Sequence, residues 1–197
     1  MLPRRLVYLS TSGVYGDCAG EWIDERRAPA PGTARAKRRL DAESAISGWG
    51  AEHRVEVVIL RVPGIYASDR LPLERLARSL PALHPDDDVY SNHVHADDLA
   101  AILVAALESP RALGVYNASD DAPMKIGDFL DLVADRTGHS RPPRLRREEL
   151  ARVLAPEQFS FLSESRRISN QRLKADLGVH LRYPSVFAGV PRLSQTA

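Results

Sequence analysis

A single cysteine, Cys18, stands in a chain of 197 residues, so no disulfide can form within it and a reducing compartment is the expected setting. Long apolar runs are missing as well. Met1-Leu2-Pro3-Arg4-Arg5 is followed only by Leu6-Val7-Tyr8-Leu9, far too short for a secretory signal or a membrane span, and a soluble cytoplasmic protein is expected. Neither sign of charge dominates. Lys and Arg number 27 against 26 Asp and Glu, a balance of +1 that gives no footprint for a nucleic-acid or anionic-membrane partner. The locally basic stretch Arg141 to Arg147 is broken by Pro142, Pro143 and Leu145 and holds no aromatic residue, so it reads as a solvated loop. Internal repeats and low-complexity tracts are absent. Cys18 itself lies in a Gly- and Asp-rich loop with no neighbouring histidine, a poor setting for a thiolate nucleophile.

What remains is a globular mixture, 44% hydrophobic and 27% charged, sufficient for a core. Leu6 to Leu9 is a β-favouring run that ends in Ser10-Thr11-Ser12-Gly13, the pattern of a strand buried on both faces in a parallel sheet. Asp17 to Gly32 is rich in Gly, Pro and charge and reads as loop. A helical pattern runs from Thr33 to Ser47, with Ala36, Leu40 and Ala45 or Ile46 on one side and Thr33 as its N-cap. Val55 to Val62 is the clearest strand, closed by Pro63-Gly64. Short helices are expected at 71–80, from Asp97-Asp98 to Leu107, at 146–154 and at 170–177. Gly114 to Asn117 is a further strand, and Lys125 to Thr137 is an amphipathic helix stopped by Gly138. Strand and helix in alternation predict an α/β layered fold.

Hydroxyl groups at the C-terminal end of a parallel strand face the crevice where α/β ligands bind, which singles out Ser10, Thr11 and Ser12. An ordinary strand-to-loop transition would look the same. The segment Ser10-Thr11-Ser12-Gly13-Val14-Tyr15-Gly16 resembles the Ser-Ser-x-x-Val-Tyr-Gly motif of the NAD-dependent epimerase/dehydratase family, the extended short-chain dehydrogenases/reductases. Four further segments follow in the family's order. They are Leu60-Arg61-Val62-Pro63-Gly64-Ile65-Tyr66, His93-Val94-His95-Ala96-Asp97-Asp98, Val115-Tyr116-Asn117-Ala118, and Ser169 to Gly178 ahead of Tyr183-Pro184-Ser185.

The resemblance implies the C-terminal part of a Rossmann-like doubly wound parallel sheet, residues 1–62, with a small α/β substrate-binding portion, residues 63–197. The family's glycine-rich turn, whose backbone N–H groups would hold the pyrophosphate, is expected to be missing from this chain. Gly13 to Gly20 mimics it, but the spacing is one residue too long and no helix follows. In the family a Tyr-x-x-x-Lys pair supplies the acid/base chemistry. Lys37 fits the lysine, but Thr33 stands where the tyrosine belongs, and an aliphatic hydroxyl is a far poorer acid than a phenol. The segment from Thr33-Ala34-Arg35 to Glu43 resembles an atypical subgroup that carries arginine and no tyrosine there.

By resemblance the catalytic residues are Thr11, Tyr15 and Lys37, with Tyr15 either a substitute acid or a packing residue beside the cleft. Cofactor contacts fall to Ser10, Thr11, Lys37, Val62 and Gly64. Substrate contacts fall to Ser12, Arg61, Tyr66 and Asn92. No metal is expected: the series His93, His95, Asp97 has a metal-like look, but Asp97 and Asp98 also suit a helix N-terminus. The implied activity is NAD- or NADP-dependent epimerase/dehydratase chemistry on a nucleotide-sugar-like or related small metabolite, with a homodimer as the family's assembly. Both Thr33 and the missing turn count against cofactor use by this chain on its own. A non-catalytic binding or sensor module is the alternative.

Overall fold

The computed structural model describes residues 1–192. Its centre is a three-stranded parallel sheet in which Glu56–Val62 lies between Arg5–Thr11 and Gly114–Asn117. The middle strand is the apolar run expected from the sequence, buried from Val58 to Val62. Ser10 pairs with Arg61 and Thr11 with Val62, so the two strands end level with one another. The remaining strands form four two-stranded pieces. Gly64–Tyr66 pairs in parallel with His93–His95 and continues the middle strand toward the site.

The first helix runs Ala34–His53 and is capped by Thr33, whose side chain accepts from the Ala36 amide at 3.2 Å. Its buried residues are Ala36, Glu43 and Gly50, one heptad apart. Of Ala45 and Ile46, the alternatives expected on the packed side, Ile46 is half-buried and Ala45 exposed, because the contact stripe is this narrower one. Gly50 is required there: a Cβ would come within 2.3 Å of Val57 Cγ2 and 2.9 Å of the Val55 carbonyl oxygen. The helix thus lies unusually close to the sheet.

Helix Ala96–Glu108 covers the sheet together with Gln171–Leu177. Leu99, Ile102, Ala106 and Leu173 join Val58, Leu60 and Tyr116 in the main core. The N-cap of Ala96–Glu108 is His95, whose Nδ1 accepts from the Asp97 amide at 3.1 Å. Asp97 and Asp98 therefore occupy its first turn, where a carboxylate favours the helix dipole. A second core forms around helix Ile126–Thr137, through Leu130, Val133 and Ala134 against Tyr66 and Val186. Gly138 closes that helix in the left-handed region, at φ 72°. Among the described residues no helix is long and apolar enough to cross a membrane.

Candidate active site

A cavity of about 540 Å³ opens where the sheet's C-terminal strand ends meet the second core. Thr11, Ser12 and Gly13 line it from the first strand, Pro63 and Gly64 from the second, and Thr33, Arg35 and Ala36 from the start of the long helix. Phe129 and Leu130 form part of an apolar wall, and the irregular segment around Phe161 to Arg166 covers another side. A mostly apolar cleft with a few polar groups converging at parallel strand ends is where α/β proteins hold small molecules.

The sequence-derived candidates divide into two groups. Thr11, Ser12, Gly64 and Asn92 line the cavity. Thr11 Oγ1 accepts from the Gly13 amide at 3.2 Å, which fixes the side chain and leaves its proton free to donate. Asn92 is held by the fold: its Nδ2 donates to the Arg166 carbonyl at 3.0 Å, and its Oδ1 accepts from the Ile168 amide at 2.8 Å.

Ser10, Tyr15, Lys37, Arg61, Val62 and Tyr66 do not line the cavity. Three of them belong to a polar network beneath its floor, centred on Glu43. The Arg61 guanidinium contacts both Glu43 carboxylate oxygens, at 3.2 and 2.7 Å, and the Ser10 hydroxyl donates to Glu43 at 2.5 Å. Arg61 stacks over the Tyr15 ring at 4.7 Å, and the Tyr15 hydroxyl donates to Asn117 Oδ1 at 2.8 Å. Tyr15 is completely buried, and burial pushes its phenol above the ordinary value. Val62 belongs to the main core. Tyr66 belongs to the second core, and its hydroxyl donates to the Ser185 carbonyl at 3.1 Å; burial again raises its phenol well above the usual range.

Lys37 is exposed on the long helix and makes no side-chain hydrogen bond or ion pair among the described residues. Of the expected cofactor contacts, Thr11 and Gly64 line the cavity, Lys37 is exposed, and Ser10 and Val62 are buried. The loop from Gly13 to Gly20 offers no phosphate cradle. Ser12–Tyr15 is a short 3₁₀ turn, and Gly16, at φ 68°, lies against the Ala30 carbonyl, where a Cβ would sit at 2.1 Å. That loop is packed shut.

No cluster of three or more His, Cys, Asp or Glu suited to a metal ion occurs among the described residues. Cys18 is buried, and burial raises its thiol above the ordinary value, which keeps it unreactive.

Several cavity residues escaped the sequence reading. His93 is 6% exposed and lies beside Gly64, and burial pushes its imidazole down to about 4, so it is neutral at pH 7. Glu164 and Arg166 form an ion pair at 2.8 Å in the cavity wall. The Arg35 guanidinium stacks over Phe161 at 4.2 Å. His93 stood in a recognisable motif. Glu164 and Arg166 lie in a segment with no periodic pattern, so nothing in the sequence marked them.

Comparison with known proteins fits this geometry. Residues 2–119 match the NAD dependent epimerase/dehydratase family. GDP-6-deoxy-D-mannose reductase of Pseudomonas aeruginosa is 28% identical over 167 residues, covering 75% of this chain and 55% of the relative. The chain thus spans about half the length of that curated relative. A conserved protein of unknown function from Silicibacter pomeroyi is 34% identical, with a TM-score of 0.83 over 94% of this chain and 64% of that one. UDP-glucose 4-epimerase of Thermus thermophilus, solved with NAD, is 24% identical with a TM-score of 0.73, over 94% of this chain and 61% of that one, and shares the fold. The chain belongs to the NAD dependent epimerase/dehydratase family.

Proposed function

We propose that this chain holds a nucleotide-sugar-like small molecule in the cavity and forms the substrate side of NAD(P)-dependent epimerase/dehydratase chemistry. The observation that carries the reading is the cavity itself, about 540 Å³ at the C-terminal strand ends, with Thr11 and Ser12 at one side and apolar Phe129 and Leu130 at another. That volume suits a ligand larger than a bare sugar. The Thr11 hydroxyl, fixed by the Gly13 amide, would donate to the ligand. Arg35 at the wall would meet its phosphates, since a guanidinium matches phosphate oxygens in a planar fork. The cofactor would supply hydride transfer. This chain would contribute Lys37 to its ribose and exclude water from the ligand with the apolar wall.

The chemistry of relatives reaches this chain by analogy of fold and motif. The P. aeruginosa relative is named for a reduction of a GDP-linked deoxysugar, and the T. thermophilus neighbour for epimerisation of UDP-glucose. Both names support a nucleotide sugar as the ligand class, without choosing its base or sugar.

Isothermal titration with UDP-glucose and GDP-mannose tests the reading. Binding with micromolar affinity is expected, weakened about tenfold in Thr11→Val, which removes one hydrogen bond to the ligand. Failure of the wild-type chain to bind either compound at millimolar concentration would overturn it. A second reading, a binding module without turnover, is favoured by Thr33. Its oxygen caps the long helix, and its hydroxyl is too weak an acid to replace a phenol. Binding of a nucleotide sugar with no change in nicotinamide absorbance when NAD or NADP is added is the result that selects it.

A further inference from the structure

Positive charge prevails around the cavity. Among the described residues Arg35, Arg75 and Arg166 line it against a single carboxylate, Glu164. His93 adds no charge at pH 7. Arg166 is paired with Glu164 at 2.8 Å, and its Nη1 also donates to the Gly16 carbonyl at 2.7 Å. Arg35 is exposed, where water and salt screen its charge. Arg75 has neither kind of compensation. Its guanidinium donates to the Pro81 carbonyl and makes no ion pair among the described residues. Its Nε is buried with no partner. Burial holds this guanidinium below the ordinary arginine value, and no acidic neighbour offsets that.

A charge taken from water without a counter-charge is costly to a fold. A methionine would fill the same space without that cost, so stability does not account for an arginine here. The same surroundings strengthen any ion pair that Arg75 makes, because charges attract more strongly away from water. Its position is set by packing. Arg75 lies on the short helix Leu73–Ala77, and Leu71, Leu73 and Leu76 seat that helix in the second core. Thr11 and Thr33 line the cavity from the sheet side. Glu164 belongs with them: its Oε1 lies 3.4 Å from where a Cβ on Gly32, next to Thr33, would stand. The carboxylate that would repel an anion is thus set apart from Arg75. Arg166 Nε, also buried without a partner, is a further donor in the wall.

We infer that Arg75 is a specificity-determining residue whose guanidinium holds the ligand's diphosphate on the second-core side of the cavity. Phosphate oxygens accept from a guanidinium's coplanar N–H groups, and they bring the counter-charge that the fold omits. Arg35, screened by water, adds less to the same group. The ligand then has a direction. With its diphosphate at Arg75, its sugar extends toward Thr11 on the sheet side, where the long helix that carries Lys37 begins. This rests on the nucleotide-sugar reading above.

Calorimetry on the full chain tests it, with inorganic pyrophosphate, UDP-glucose and GDP-mannose as probes. Arg75→Met should weaken pyrophosphate and the nucleotide sugar that the wild type binds by a similar factor, at least about tenfold, and Arg75→Lys should recover part of the loss. A nucleotide sugar or pyrophosphate that Arg75→Met binds as tightly as the wild type overturns the inference and leaves the binding reading intact. Pyrophosphate bound alone, and lost in Arg75→Met, keeps Arg75 as an anion site and removes the nucleotide-sugar reading. A wild-type chain that binds none of the three removes both. If Arg75→Met does not fold, spectra of the ¹⁵N-labelled wild-type chain decide: the Arg75 Nε–H resonance should move when pyrophosphate is added, and a resonance that stays in place overturns the inference.

Discussion

Asp120 offers a quantitative test of the fold. Its side chain is 2% exposed, its Oδ1 accepts from the Ala122 amide at 3.2 Å, and its Oδ2 has no partner. Burial, then the nearby Asp121 and Asp98 charges, outweigh the Ala122 and Val186 amides and push the carboxyl from 3.8 up to about 8. The folded chain therefore keeps a proton that the unfolded chain releases, and stability falls as pH rises between those values, by about 1.4 kcal/mol per pH unit. His93 works in the opposite sense. Its folded value lies at about 4 against 6.5, so its contribution is lost as pH falls through that range and offsets Asp120 there. The Asp120 slope stands clear only from pH 6.5 to about 8. Across that interval the loss approaches about 2 kcal/mol, or about 4–8 °C in melting temperature for a chain of this size. Thermal unfolding followed by circular dichroism at several pH values, for wild type and Asp120→Asn, measures it. The asparagine variant should show a flatter profile and melt higher than wild type at pH 8. Parallel profiles for the two proteins would refute the reasoning, because then Asp120 does not hold a proton in the folded state.

Three other outcomes follow from the same structure. Glu43→Gln leaves the Arg61 guanidinium buried without its counter-charge and should cost about 3–5 kcal/mol in urea denaturation; a loss below about 1 kcal/mol would mean that water reaches the pair. Thr33→Ala removes the cap of the long helix and should lower stability by about 1 kcal/mol in the same assay, whereas Thr33→Ser should be nearly silent. Strand Arg5–Thr11 is an edge strand among the described residues, with Leu9 38% exposed, so the chain should self-associate as concentration rises, and Leu9→Lys should reduce this in sedimentation velocity. Equal sedimentation of both proteins at all concentrations would dismiss the edge as a contact.

The sheet was legible because apolar runs bounded by Gly, Pro or hydroxyl residues have few other solutions. The strand at Gly114–Asn117 and the ends of helix Ile126–Thr137 agree with the pattern to within a residue. The long helix was placed at its Thr33 start but runs on to His53 instead of ending at Ser47; Ala36 and Leu40 pack as expected, whereas Glu43 and Gly50 carry no apolar signal and are buried for their hydrogen bonds and closeness to the sheet. The site divided for a similar reason. Thr11, Ser12, Gly64 and Asn92 line the cavity because strand ends are fixed by the sheet. Whether Arg61 faces a ligand or a buried carboxylate depends on an 18-residue separation from Glu43 that no local pattern encodes. The short pairing of Gly64–Tyr66 with His93–His95, which brings His93 to the cavity, is likewise a contact between segments distant in sequence.

Glu43 also acts as a key for strand alignment. It reaches Ser10 and Arg61 together, and these two are register partners on neighbouring strands. A slip of one residue would turn Ser10 to the opposite face of the sheet and leave a carboxylate and a guanidinium sealed among side chains that cannot answer them. Apolar strands such as Leu6 to Leu9 and Val57 to Leu60 tolerate several alignments by hydrophobicity alone, so the misaligned states are penalised by one charged side chain on a helix that docks over both. Neutralising Glu43 would therefore widen the set of compact states open to the chain as it folds, in addition to weakening the one it normally reaches.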